Sequence, residues 1–245
     1  MATKNNLLVE ALFGSVVPGI AVDVHQQIGE IVKKSLFIQE LCEGGIETSR
    51  RLYLGFMPFV EKFPDLIRRY VECELTPERL QKAFGKATPV VKTIFETAMR
   101  ELANEESDHR DAWIRSAHAV GLSDEVLFSD DTLHGPAKRL VESAFEGDAL
   151  SVMLRLAATE SIAHWVSVEC LASEKFLDLY PGKDLQWFLW HAVPHEGPSH
   201  QDMQLFLSST VLRELAGDNY IPTVWKEMVG FAEAFAATAE EIRSI

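Results

Sequence analysis

Residues 102–120, LANEESDHRDAWIRSAHAV, decide the fold class. Read at 3.6 residues per turn, Leu102, Glu106, His109, Trp113, Ala117 and Val120 share one stripe about 80° wide. That period belongs to a helix, because side chains on a strand alternate between two faces. The stripe is apolar except at its centre, which carries a carboxylate and an imidazole. Burying that carboxylate with nothing facing it costs several kcal/mol, so a metal, a cation or a hydrogen-bond network must compensate. The competing reading is a solvated pair beside Glu105 and Asp108.

The same period extends in both directions. It predicts helices over 22–43, stopped by Gly44-Gly45, and over 48–75, where Gly55, Pro58 and Pro64 should introduce kinks. Thr76-Pro77 reads as a cap followed by proline at the first helical position. A long helix over 89–120 should end at Gly121, and another should open at Gly135-Pro136 and close near Gly147. Asp148 should cap a helix reaching about residue 179. A short helix from 184, an interruption at Pro194, Gly197 and Pro198, a helix to 215 and a last one over 222–242 complete the chain. Strand-like alternation does not recur. The expected architecture is one all-α helical-bundle domain over 21–245, preceded by an arm or short helix over 1–20.

The chain has 245 residues, 47% hydrophobic, and its 23 Lys and Arg against 37 Asp and Glu leave a formal charge of −14. Nucleic-acid binding draws on clustered basic residues, and an acidic chain with no basic stripe excludes that class. No run of about 18 uncharged apolar residues marks a membrane span. No signal peptide is expected from the N-terminal residues, no CxxC pair occurs, and Cys42, Cys73 and Cys170 are scattered. The expectation is a cytoplasmic protein with reduced thiols.

Two further segments carry candidate chemistry. Glu160 shares a stripe with Met153, Leu156, Ser167 and Leu171, and His164 follows one turn later. These two either satisfy each other in the core or serve a site. In FLWHAVPHEGPSHQDM, residues 188–203, three of the chain's eight histidines fall within ten residues: His191, His195 and His200, with Glu196 among them. Imidazole and carboxylate sets without thiolate favour iron or manganese. Two inward carboxylates, Glu106 and Glu160, with His109 and this cluster form the inventory of a dinuclear iron site in a helical bundle. Phe56, Phe59 and Phe63, with Trp113, read either as core or as the lining of an apolar substrate pocket that His164 would complete.

Over residues 35–211 the chain resembles the heme-oxygenase-like diiron oxidases and oxygenases. The opening segment SLFIQELCEGGIETSRRLYLGFMPFVEKFPDLI is similar to the family's first helix, glycine turn and aromatic second helix. NEESDHRDAWIRSAHAVGLSDEVL is similar to its metal-binding third helix, with a Glu-x-x-His spacing like that of the UndA-like branch. The resemblance implies two Fe(II) ions and dioxygen as co-substrate. It implies Glu106, His109, Glu160 and His191 as ligands, with Glu106 and Glu160 as the acidic catalytic groups. The family's third element, a histidine followed by an aspartate and a second histidine, is altered here. A two-residue insertion would make His200 the final ligand and leave His195 or Glu196 as the middle one. The family's reactions include oxidative decarboxylation, desaturation or fragmentation of amino acids, and N-oxygenation of amines, so the expected substrate is a small amino-acid-, amine- or fatty-acid-like molecule.

Two metal-free relatives share that fold. A TenA-like hydrolase needs a cysteine beside a carboxylate, and Cys170 lies ten residues beyond Glu160. A PqqC-like oxidase needs a basic pocket, and the candidate segments carry more acid than base. A non-catalytic helical scaffold would leave the inward carboxylates without a purpose. The apolar C-terminal helix with Phe231 and Phe235, together with the fold family, suggests a homodimer.

Overall fold

The computed structural model describes residues 18–74, 76, 78, 81, 88–129, 133–180, 184–193 and 216–245. Among them the chain forms α1 (Pro18–Lys34), α2 (Leu36–Cys42), α3 (Ile46–Glu74), α4 (Thr88–Ala119), α5 (Asp124–Leu127), α6 (His134–Ala144), α7 (Ala149–Leu171), α8 (Glu174–Leu177), α9 (Gln186–Ala192) and α10 (Tyr220–Ser244). No strand occurs among the described residues. The all-α class therefore holds.

Helix α7 is the axis of the bundle. It is apolar around most of its circumference, burying Val152, Met153, Leu154, Leu156, Ala157, Ala158, Ile162 and Val166, as a helix enclosed on all sides must be. It packs against α1, α2, α9 and α10, while α3 packs against α4 and α6. The buried apolar side chains form one continuous cluster. Asp148 begins α7 as expected, its carboxylate accepting from Ser151 N–H at 2.8 Å. Gly121 and Gly147 follow α4 and α6 with φ of +86° and +89°, a region glycine enters without a Cβ penalty.

Two expectations need correction. The helix predicted over 22–43 is two, because Glu240 of α10 reaches across to the junction: its Oε1 accepts from Ser35 Oγ and from Phe37 N–H, both at 3.0 Å. A carboxylate from another helix thus caps α2, and Ser35 stays extended at φ −64°, ψ 124°. The helix predicted to reach residue 179 stops at Leu171, since Ser173 caps α8 by accepting from Phe176 N–H at 3.2 Å. Gly55 has a packing role: a Cβ there would lie 2.7 Å from the Ile242 side chain, so the missing side chain lets α10 close on α3. Helix α3 runs unbroken through Pro58 and Pro64.

Phe231 is buried, and the Phe235 ring centres 5.1 Å from that of Phe56 within the same chain. The first helix starts at Pro18, within the stretch expected to be an arm. Residues 1–17 and the helix expected to end at 215 lie outside the described residues. No helix among the described residues is long and apolar enough to cross a membrane.

Candidate functional site

On α4, Glu106 and His109 are 9% and 6% exposed, which rejects the solvated reading, whereas their neighbours Glu105 and Asp108 are exposed. Glu106 Oε1 lies 3.3 Å from His109 Nδ1. One turn further along the same stripe, Trp113 is buried, with its edge toward Tyr53 and its indole N–H on the Tyr53 carbonyl at 3.3 Å.

Helix α9 brings His191 to this pair. The two imidazole rings are 4.6 Å apart, and Trp190 lies 5.3 Å from His109. His191 Nδ1 donates to the Trp187 carbonyl at 2.7 Å. A carbonyl only accepts, so Nδ1 carries the hydrogen. His164 of α7 repeats the arrangement, its Nδ1 donating to the His191 carbonyl at 2.8 Å. Glu160 sits half-buried one turn earlier on α7. The mutual Glu160–His164 satisfaction considered from the sequence is not how Nδ1 of His164 is used.

The sequence reading missed His25. From α1 its Nδ1 meets Ser161 Oγ at 3.1 Å, its ring lies 5.2 Å from His164, and its carbonyl accepts from Trp165 Nε1 at 2.9 Å. Its one available signal was its place beside Val24 in the buried Val24–Ile28–Val32 stripe of α1. A band of polar side chains thus runs Glu106, His109, His191, His164, His25 across four helices. His195, Glu196 and His200 lie outside the described residues.

Beside this band is an apolar cavity of about 80 Å³, walled by α3, α4, α6, α7, α9 and α10. Phe56, Phe59 and Trp113 line it as expected, together with Trp187, Ala163 and Thr159. His164 does not line it, because its ring is turned toward His25 and the end of α9. Nor does Phe63, which stacks on Phe59 at 5.2 Å and packs edge-on to Phe145. Trp187 joins the two parts: its ring lies 4.3 Å from His191 and 4.8 Å from Trp113. Arg155, the nearest cation along α7, is committed to Glu227 at 2.6 Å and to the Glu146 carbonyl at 3.0 Å.

Two ligands each about 2.1 Å from one cation sit roughly 3.0–3.4 Å apart at ordinary coordination angles, and the 3.3 Å between Glu106 and His109 matches that spacing. His191 adds an Nε2 whose ring is oriented through Nδ1 by a carbonyl, the usual support for a metal-bound imidazole. Among the described residues, however, no group of three or more His, Cys, Asp or Glu side chains is arranged to hold a metal ion. Among the described residues Glu106 and His109 keep a spacing compatible with one cation, and they do not close a metal site.

No protein-family model matches the chain, and no curated protein matches it in sequence. Among solved structures, a TenA homolog from Pseudomonas syringae pv. tomato superposes with a TM-score of 0.66, over 92% of this chain and 91% of that one, at 14% identity. The chain has the TenA-type helical fold. At that identity the likeness carries architecture alone. It agrees with the fold that the sequence resemblance implied and does not reach the diiron branch. Within this fold, Cys170 is wholly buried and directed at Cys42, away from the role a nucleophile beside Glu160 would need.

Proposed function

We propose that this protein is an enzyme that oxidises a small, largely apolar molecule with dioxygen at a nonheme iron centre. The observation that carries the reading is the buried Glu106–His109 pair facing His191, one tryptophan away from an apolar cavity. Glu106, His109, His191 and Glu160 would hold iron, and His195, Glu196 and His200 are the further donors the sequence offers. Bound ferrous iron would supply the reduction of dioxygen.

The chain's own residues supply placement. The Nδ1 bonds of His191 and His164 hold their rings in one orientation each. Trp113 and Trp187 line the cavity, and Trp187 touches His191, so the apolar space borders the polar band. The cavity selects by shape and apolar area, at about 0.8 kcal/mol per buried methylene, and Thr159 offers it a hydroxyl. A substrate with an apolar body and a polar head fits this layout, its head directed toward Glu106 and His191.

Anaerobic ferrous titration of the metal-free protein tests the reading. Uptake approaching about two irons per chain, lost in Glu106→Ala and His191→Ala while the helical circular dichroism persists, supports it. Absence of uptake, or uptake unchanged in both variants, overturns it and moves the protein to the metal-free members of the fold.

A further inference from the structure

Beyond the polar band, the end of α2 meets the last turns of α7. Cys42 is the final residue of α2, half-buried, and its Sγ lies 3.5 Å from the Glu169 carbonyl. Its own carbonyl accepts from Ser173 Oγ. These contacts pin Cys42 beside Cys170, which is fully buried, and the two thiols are hydrogen-bonded to each other. The sequence separates them by more than half the chain, so no motif announces the pair. A surface cleft of about 460 Å³ reaches Cys42 between Lys33, Gln39, Glu40, Glu43 and Glu169. The pair is therefore asymmetric, with one thiol at a solvent cleft and the other behind it.

We infer that Cys42 and Cys170 form a peroxide-sensitive thiol pair that closes to a reversible disulfide between α2 and α7. The Cys170 hydrogen bond holds the Cys42 thiol below the ordinary thiol range, although burial, Glu169 and Glu43 oppose it. The same bond and burial push Cys170 well above that range. Peroxide must reach the attacking thiolate, and only Cys42 of the two lines the cleft, which assigns the first step to Cys42. Its sulfur attacks one oxygen of hydrogen peroxide, the O–O bond breaks, and Cys42 becomes a sulfenic acid with release of hydroxide. The Cys170 sulfur then attacks the Cys42 sulfur, its proton leaving with the departing hydroxyl as water. In sum two thiols and one peroxide give one disulfide and two waters. The S–S bond needs about 2.05 Å, and Cys42, which ends a seven-residue helix two residues before the Gly44 turn at φ +76°, would close onto Cys170 within α7.

The pair stands apart from the proposed iron chemistry, and its test needs no activity. Reduced protein is exposed to about one equivalent of hydrogen peroxide, quenched, denatured, and its thiols counted and mapped by mass spectrometry. The expected result is a fall from three thiols to one, Cys73, with a Cys42–Cys170 peptide pair that a dithiol reductant releases. The oxidised form should also melt several degrees higher, because the bond constrains the unfolded chain. In C170A, Cys42 should stop at the sulfenic acid and react with dimedone. In C42S, which alters only the half-buried member, Cys170 should remain a thiol. Three thiols retained in the wild type, a Cys42–Cys42 link between chains, or equal dimedone labelling of wild type and C170A overturns the inference.

Discussion

Nδ1 of His164 donates to the main-chain oxygen of His191 at 2.8 Å, so a side chain of α7 fixes the C-terminal end of α9, where His191 faces His109. The bond holds backbone and ring position together, since His191 is itself oriented by the Trp187 carbonyl one turn back. His164→Phe removes the donor and leaves that carbonyl without its partner, at a cost of about 1–2 kcal/mol in urea unfolding. If His191 binds iron, the displaced ring should also weaken ferrous affinity by about 10–100-fold in the same titration. His164→Asn keeps a donor and should recover much of both. Unchanged unfolding and unchanged iron binding in His164→Phe would remove His164 from the site.

Gly29 lets α1 lie directly on α7. A Cβ there would stand 2.5 Å from Cε2 of Trp165 and 2.8 Å from Cδ2, both in the fused part of the indole. In an isolated helix Gly→Ala gains about 1 kcal/mol, yet here the whole ring must shift and lose its bond to the His25 carbonyl. Steric cost wins. Gly29→Ala is expected to destabilise by about 1–3 kcal/mol, with altered Trp fluorescence, and a more stable variant would contradict this packing.

These two contacts show where sequence reading reached and where it stopped. The helical class, the Asp148 cap and the stop at Gly121 rest on local patterns, and local patterns are visible in a chain of letters. The inward direction of Glu106 and His109 was legible too, because register with Leu102 and Trp113 fixes it. The break at Ser35 was not, since the carboxylate that caps it, Glu240, lies 205 residues away. The packing role of Gly55 was hidden for the same reason: it is set by Ile242 of another helix. His25 and the Cys42–Cys170 pair depend on how α1 and α2 dock on α7, which no periodicity states. The expected middle ligand, His195 or Glu196, falls outside the described residues.

Glu240 should give the protein an acid-sensitive contact. Burial alone would raise its pKa from the usual value near 4.5. The Phe37 N–H, Arg243 and Ser35 bonds more than offset burial and hold it lower. A carboxylate lowered in the folded state contributes its stability above the unfolded value and loses it as pH falls through the folded one. Wild-type stability should therefore drop across roughly pH 5 to 3 more steeply than that of Glu240→Gln. At neutral pH the variant should be weaker by about 0.5–1.5 kcal/mol, a modest figure because the side chain is 34% exposed. Parallel pH–stability curves for the two proteins, from urea melts, would show that the Glu240 charge does not hold α2.

Ala163 tests whether the apolar cavity receives a ligand. It lies on the cavity wall of α7, opposite aromatic side chains of α3 and beside Trp187. Ala163→Leu adds three carbons into about 80 Å³ of empty space, so the fold should change in stability by no more than about 1.5 kcal/mol. Small apolar probes, such as indole or medium-chain carboxylic acids, should perturb the Trp113 and Trp187 fluorescence of the wild type in a saturable way. The same probes should bind the variant at least about tenfold more weakly, a loss of about 1.4 kcal/mol. Glu106→Ala, in contrast, should retain the apolar component of binding, since the carboxylate does not line the cavity. Equal probe affinity in wild type and Ala163→Leu would place the substrate elsewhere and detach the polar band from this cavity.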